Sequence, residues 1–474
     1  MTPRDGSTRT DVLVIGGGPG GYVAAIRAAQ RDRDVTLVEK DAYGGTCLNH
    51  GCIPSKAFIT AADIAHDAEN AAVMGIHADP TVDMAALADW KNDVVDRLTG
   101  GVEKLCKANQ VTLLEGTATF ADDHAARVAH SGDDGETATV EFEDCIVATG
   151  SRPIEIPGFS FADEDVWASR DALAAEERPD ELVVVGAGYI GIELSTMFAK
   201  LGTDVTVVEM LDSALPAYDD DITRVVRSRA ADLGVDFRFG EGASEWRESG
   251  RGIEVVTEAE DGETATYGAD KVLVAVGREP VTDTLELDAI GLEPDDTGFL
   301  AIDDHARTAL DHVYAVGDVA GEPMLAHKAS AEGIVAAETI AGESVALDHR
   351  AIPAAVFTDP EIGTVGLTES EAVEAGVDPV VGEMPMRASG RALTMNESEG
   401  FVRLVGDGET GRLVGAQMVA PEASELIAEA GLAIELGATI DEVADTIHTH
   451  PTLSEATMEA AENAMQQAIH TLNR

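Results

Sequence analysis

Two cysteines, Cys47 and Cys52, stand with four residues between them in the glycine-flanked stretch GGTCLNHGCIPSK, residues 44 to 56. Such a pair can staple a loop, clip a metal or switch between dithiol and disulfide. A zinc site wants four soft ligands with a second close pair, and the remaining cysteines, Cys106 and Cys145, stand apart. A staple here would close a loop too short to add much stability. Four cysteines in 474 residues is also no extracellular disulfide framework, so a reducing, cytoplasmic setting is expected. A redox-active dithiol beside a bound cofactor fits the pair best. Thiol–disulfide exchange runs through a thiolate, and a free thiol is mostly protonated at neutral pH. A histidine with an orienting carboxylate is the usual remedy. Near the C-terminus, HTHPTLSE offers His448 and His450, with Glu455 five residues beyond the second.

The elements that would position this chemistry are written twice. DVLVIGGGPGGYVAAIRAAQRDRDVTLVEK (11 to 40) and ELVVVGAGYIGIELSTMFAKLGTDVTVVEM (181 to 210) each read as strand, glycine turn, helix, strand. The turns carry G-x-G-x-x-G at Gly16, Gly18, Gly21 and at Gly186, Gly188, Gly191. A second apolar strand then ends in Glu39 and in Glu209, each twenty-three residues after the first glycine. A bare glycine triplet is weak evidence. A triplet that follows a strand, opens a helix and has an acid at this distance predicts a dinucleotide site. The glycines admit a pyrophosphate to a helix N-terminus and the glutamate takes a ribose diol. Glu209 would repel a 2′-phosphate, which favours NAD over NADP. Nicotinamide is a poor direct partner for a thiolate. A flavin can take electrons from sulfur on one face and pass hydride to nicotinamide on the other, which explains two modules in one chain.

At 474 residues the chain predicts two to four domains. CIVATGSRP (145 to 153) closes the first module, VLVAVGREP (272 to 280) closes the second, and HVYAVGDVAG (312 to 321) returns to the first. From about residue 351 the composition shifts toward a separate α+β domain. The expected class is α/β, with two Rossmann-like dinucleotide domains and a C-terminal α+β domain; the family resemblance of these motifs implies FAD for the first, NAD for the second and dimerisation for the last. The expected boundaries are 1–155 for the first part of the FAD domain, 156–280 for the NAD domain, 281–350 for a central part completing the FAD site, and 351–474 for the interface domain.

Charge is the odd feature. There are 88 acidic residues against 32 basic ones, a net of −56, and of the basic residues 8 are Lys and 24 Arg. The acid is scattered, not gathered in a tail, which points to a protein made for concentrated salt. Nucleic acid is a poor partner for such a surface. No run of eighteen apolar residues predicts a membrane helix, and the polar start MTPRDGSTRT does not resemble a secretory signal.

The cysteine stretch, GAGYIGIELS, AVGR, YAVGDVAGEPMLAHKASAEG and HTHPTLSE, in this order from residue 11 to past 460, resemble the motifs of the flavin-dependent disulfide oxidoreductases. The resemblance is closest to members that oxidise protein-bound dihydrolipoamide with NAD. It implies Cys52 as the flavin-proximal thiol and Cys47 as the interchange thiol that meets substrate sulfur. It also implies Lys56 near the reactive edge of the flavin, paired with Glu193, and His450 as the base held by Glu455. FAD, one per subunit and bound tightly but not covalently, would rest on Gly16, Gly18, Gly21, Glu39, Lys40, Gly45, Thr46, Lys56, Gly116, Thr149, Gly150, Ser151, Asp318 and Ala326. NAD as co-substrate would meet Gly186, Gly188, Tyr189, Ile190, Gly191, Glu209 and the turn Ala275, Val276, Gly277, Arg278. No metal is expected. The implied partners are a second copy, giving a homodimer with His450 across the twofold, and a lipoyl-bearing acyltransferase or glycine-cleavage carrier. A glutathione-type reductase is the alternative. Its preference for NADPH usually shows as basic residues after the second module's strand, whereas VVEMLDSALP offers none. A mercuric reductase would carry a C-terminal cysteine pair, and no cysteine follows Cys145.

Overall fold

The apolar β-branched run at Val12–Ile15 and its echo at Leu182–Val185 are buried strands, each paired in parallel with its neighbours, in two separate sheets. The computed structural model describes residues 7–130, 137–250 and 252–473 and divides into two compact units, Met1–Arg178 with Val276–Asp348, and Pro179–Ala275 with His349–Arg474.

In the first unit the strand Ser7–Ile15 is flanked in parallel by Val35–Glu39 and Thr137–Val147, with Val12 opposite Val35 and Leu13 opposite Cys145. Thr112–Asp122 extends the sheet in parallel beyond Val35–Glu39, and Val313–Ala315 joins Thr137–Val147 on the other side. Strands buried on both faces read as continuous apolar runs, as in parallel sheets covered by helices. The helix Pro19–Ala29 supplies Ala24, Ala25 and Ala28 to a core shared with Ala336, Ala337 and Ile340 of the helix Ala326–Ile340. Cys106 and Cys145 are fully buried in the two cores of this unit, where they act as small apolar residues. Burial pushes both thiols up, Cys106 to about 11, so neither is poised for chemistry.

In the second unit Asp236–Phe239, Asp204–Glu209, Glu181–Val185 and Lys271–Val274 lie parallel in that order, the helix Tyr189–Lys200 following the first glycine turn. An antiparallel ribbon, Glu241–Ser249, Gly252–Ala259 and Thr264–Ala269, is inserted before the last of these strands. The C-terminal portion is a five-stranded antiparallel sheet in the order Ala354–Val356, Glu361–Gly366, Leu413–Ala420, Phe401–Asp407, Pro379–Pro385. The helices Ala423–Leu436 and Glu455–Ala464 share its core through Ile427, Ile434, Ala456 and Ala460. The expected class, two Rossmann-like modules and a C-terminal α+β domain, is what the chain forms. No helix among the described residues is long and apolar enough to cross a membrane.

Candidate functional site

The sequence echo is also a geometric one. A side chain at Gly21 would put its Cβ 1.8 Å from the Gly16 carbonyl oxygen, and one at Gly191 would come 2.0 Å from that of Gly186. Only glycine lets each helix start this close to its strand. Neither helix has a side-chain cap at its N-cap, Gly18 or Gly188, so the first-turn amides are available to an anion such as pyrophosphate. The two glutamates hold matched bonds. Glu39 accepts from the Gly17 amide at 2.6 Å and the Asp41 amide at 2.8 Å. Glu209 accepts from the Ala187 amide at 2.8 Å and the Leu211 amide at 2.9 Å. Each carboxylate thus pins its own glycine turn, a task that spacing alone does not reveal. A ribose diol would meet an acceptor already aimed at the phosphate turn.

The cysteines follow directly. Gly44 donates its amide to the Gly17 carbonyl at 2.8 Å, tying the cysteine stretch to the first glycine turn. Gly45, Thr46 and half-buried Cys47 lie on the short helix Gly45–Asn49, and exposed Cys52 is the first residue of the helix Cys52–Asn70. Neither sulfur is in a disulfide. A hydrogen bond to Cys52 pushes the Cys47 thiol up, and burial adds to this; Lys56, one turn along from Cys52, pulls the other way. Cys52 stands at a helix N-terminus, a position that favours a thiolate.

Several of the other expected flavin residues converge in the same unit. Ser151 donates from Oγ to Asp318 Oδ2 at 2.5 Å, and Thr149 Oγ1 donates to the Val281 carbonyl at 2.6 Å. Gly150 and Gly116 have positive φ at 71° and 156°, and Ala326 opens the helix behind the Asp318 turn. Lys40 is exposed beside Glu39.

The division between the two units falls within the AVGR turn. Ala275 donates its amide to Val185 in the second unit, whereas Val276, Gly277 and Arg278 belong to the first. Arg278 donates from Nε to Ser151 Oγ at 2.8 Å and from Nη2 to the Ser151 carbonyl at 2.7 Å. Its guanidinium therefore reaches Ser151, whose hydroxyl also bonds Asp318. Two residues absent from the sequence reading brace that bond from behind. Buried Glu332 accepts from the Gly317 amide at 2.7 Å and pairs with Lys328 at 2.9 Å, and Lys328 donates to the Gly321 carbonyl at 3.0 Å. The four-residue spacing of Lys328 and Glu332 on a helix was a visible signal; their target across the turn was not.

In the second unit, Tyr189 is exposed and Ile190 half-buried at the start of the helix Tyr189–Lys200. Glu193 is buried on that helix and accepts from the Phe357 amide at 2.8 Å. Lys56 and Glu193 thus belong to different units. His450 has its side chain 80% exposed, with Nδ1 2.9 Å from Glu455 Oε1, and the other oxygen of Glu455 accepts from the Thr452 amide at 2.9 Å. A carboxylate on Nδ1 leaves Nε2 outward to exchange a proton. Burial alone would raise the Glu455 carboxyl, but the Thr452 amide and the His450 ring outweigh it and hold it below the ordinary value.

Since the folded-state value is depressed, this stabilisation is present above the ordinary glutamate range and lost as pH falls through the folded value. Glu455→Gln should lower the thermal midpoint by about 1–2 °C near neutrality, with the difference closing at acid pH. Paired melts across pH check this; a gap that widens on acidification would contradict it.

Residues 10–333 match the family model for pyridine nucleotide-disulphide oxidoreductases, and residues 352–461 match that family's dimerisation domain. The chain is 68% identical to the dihydrolipoyl dehydrogenase of Haloferax volcanii and 65% identical to that of Halobacterium salinarum, covering all of both chains in each case. Among solved structures it resembles LpdA of Mycobacterium tuberculosis with a TM-score of 0.88 and 29% identity, over 96% of this chain and 99% of that one. With its two glycine turns, its dithiol and its histidine–glutamate pair inside the matched spans, the chain belongs to the pyridine nucleotide-disulphide oxidoreductases.

Proposed function

We infer that this chain is an enzyme that oxidises protein-bound dihydrolipoamide to lipoamide and reduces NAD, with FAD resident in the first unit. The observation that carries the reading is the Cys47–Cys52 thiol pair, hydrogen-bonded and tied to the first dinucleotide turn. Full-length identity to relatives named dihydrolipoyl dehydrogenase supports the substrate, and the family as a whole uses flavin and NAD(H).

The residues present suit FAD. Uncapped helix amides would take its pyrophosphate, Glu39 a ribose, and Asp318, held by Ser151, a polyol chain. Gly45, Thr46, Gly116, Thr149, Gly150, Lys40 and Ala326 complete that set, and Lys56 lies on the cysteine helix. NAD would meet Gly186, Gly188, Tyr189, Ile190, Gly191, Glu209 and the turn Ala275, Val276, Gly277 and Arg278, and Glu193 would face its nicotinamide. Residues 1–155 and 281–350 form the FAD-binding part in this reading, 156–280 the NAD-binding part and 351–474 the interface.

The cycle starts with Cys47 and Cys52 as a disulfide. His450 takes the proton of one dihydrolipoyl thiol, and Glu455 holds the ring as it becomes cationic. The resulting thiolate attacks Cys47, forming a mixed disulfide and releasing Cys52 as thiolate. The second dihydrolipoyl sulfur attacks the first as its proton passes to the departing Cys47 sulfur, which closes the lipoyl ring and leaves a Cys47 thiol, a Cys52 thiolate and a protonated His450, the pair now reduced by two electrons. Bound FAD supplies the acceptor for those electrons and the route by which they leave as hydride to NAD.

The dimerisation domain supports a homodimer in which His450 of one subunit serves Cys47 of the other. The lipoyl group arrives on an acyltransferase or glycine-cleavage carrier, in the cytoplasm. Assay of the purified protein with dihydrolipoamide and NAD in multimolar salt tests the reading. The expected result is NADH formation, with a long-wavelength absorbance band at half-reduction. Strong NADPH-driven reduction of glutathione without lipoamide activity would overturn it.

A further inference from the structure

HTHPTLSE contains a second histidine that the proposed cycle leaves idle. His448 is two residues before His450 and differs from it in every respect. Its side chain is 6% exposed, against 80% for His450. Its Nδ1 faces the Thr446 carbonyl at 2.8 Å and its Nε2 faces Glu429 Oε1 at 2.6 Å. A carbonyl oxygen only accepts, so Nδ1 carries a hydrogen. In a neutral ring Nε2 would then present a lone pair to a carboxylate oxygen 2.6 Å away, which repels. A proton therefore lies between Nε2 and Oε1, and the contact is a hydrogen bond.

Glu429 projects from the helix Ala423–Leu436, which is fixed by Ile427, Ala430 and Ile434 in the sheet core and by the Ser424 amide on Glu361 at 2.9 Å. The loop bearing His450 runs from residue 446 to 454, between the helices Ile440–Asp445 and Glu455–Ala464. Its near end is tied by Thr446 to Glu442, and its far end by Thr452 to Glu455 and Thr449. His448 carries the middle of the loop across to the rigid helix. A catalytic group needs its support locked to a few tenths of an ångström, and supports built on helices are tighter than those built on loops.

We propose that His448 and Glu429 are a positioning pair, a second histidine–carboxylate contact that fixes the loop so that His450 Nε2 meets the incoming dithiol. This rests on His450 being the base. The competing description is a buried histidine that merely stabilises its domain.

Stopped-flow reduction of the holoenzyme separates the two. Dithiol–disulfide exchange needs His450, whereas reduction of the bound flavin by NADH does not. His448→Leu should slow reduction by dihydrolipoamide about ten- to a hundred-fold, the scale of a misplaced reacting group, and leave reduction by NADH within about twofold. Glu429→Ala should do the same. Glu429→Gln, whose amide can still bond the ring, should recover rate relative to Glu429→Ala. If His448→Leu does not accumulate as folded flavoprotein, the Glu429 variants decide alone. Equal slowing of both half-reactions, or none in either, overturns the proposal. His450→Gln serves as the control. If it keeps the dithiol rate, the assignment of the base fails and the pair's role with it. If it loses that rate while the His448 and Glu429 variants keep it, the positioning role alone fails.

Discussion

Replacing Cys47 by serine removes dihydrolipoamide oxidation almost completely, on the order of 10⁴-fold or more, the scale on which loss of a nucleophile collapses turnover. The size follows from what sulfur does here. Oxygen at this position forms no disulfide with Cys52, so the substrate has no bond to attack and its electrons no path onward. The rest of the site should survive. The serine hydroxyl can donate to Cys52 as the Cys47 thiol does, and the helix start that favours a Cys52 thiolate is untouched. The variant should stay yellow, accept electrons from NADH and pass them to an artificial acceptor. It should also show, without any reductant, the long-wavelength absorbance that the parent shows at half-reduction. Turnover with dihydrolipoamide and a visible spectrum together check this. Full dithiol turnover by Cys47→Ser would mean that the pair is not the path and that the chain is a flavin-binding protein with idle cysteines.

The success of that reading from sequence has a physical origin, and so do its gaps. Gly16 to Glu39 and Gly186 to Glu209 are legible because a strand, a tight turn and a helix impose local spacings on any chain that makes them. Cys47 and Cys52 are legible because their chemistry depends on a short interval. His450 and Glu455 are five residues apart and meet across a single loop, at 2.9 Å. What escaped notice is non-local or shared. Arg278, in a motif attributed to NAD, turns to Ser151, 127 residues away. Gly317 finds Glu332, and His448 finds Glu429, only once separate elements are packed. Glu39 and Glu209 were read for one task, and each also holds the amide after the first glycine of its turn. No pattern of residue types announces such second tasks, because the same types at the same spacing form the first one.

The largest effect of solution conditions should come from salt. Moving the protein from about 3 M to about 0.1 M KCl lengthens the screening distance from below about 3 Å to about 10 Å, so the −56 surplus begins to act collectively. The ion pairs do not all depend on salt alike. Lys200 to Asp359 at 2.7 Å, with the lysine side chain 6% exposed, and Arg403 among Asp219, Asp221 and Glu383 are largely withdrawn from water and respond little to screening. Arg9 with Glu143, both more than half exposed, contributes little at any salt. The unpaired acid decides the outcome, and it weighs most where two copies meet, because repulsion between subunits grows with the product of their charges. Dissociation should therefore precede unfolding. At low salt, light scattering should report monomers that still hold flavin and far-ultraviolet dichroism, with dihydrolipoamide activity already lost, as the proposed pairing of His450 with Cys47 of the other subunit requires. Activity should return on adding KCl or NaCl, but not on adding sucrose, which supplies no counter-ions. Indifference to salt over this range would refute the role given to the acid surface, and a dimer that outlasts its activity would move the salt requirement from between the subunits to within each one.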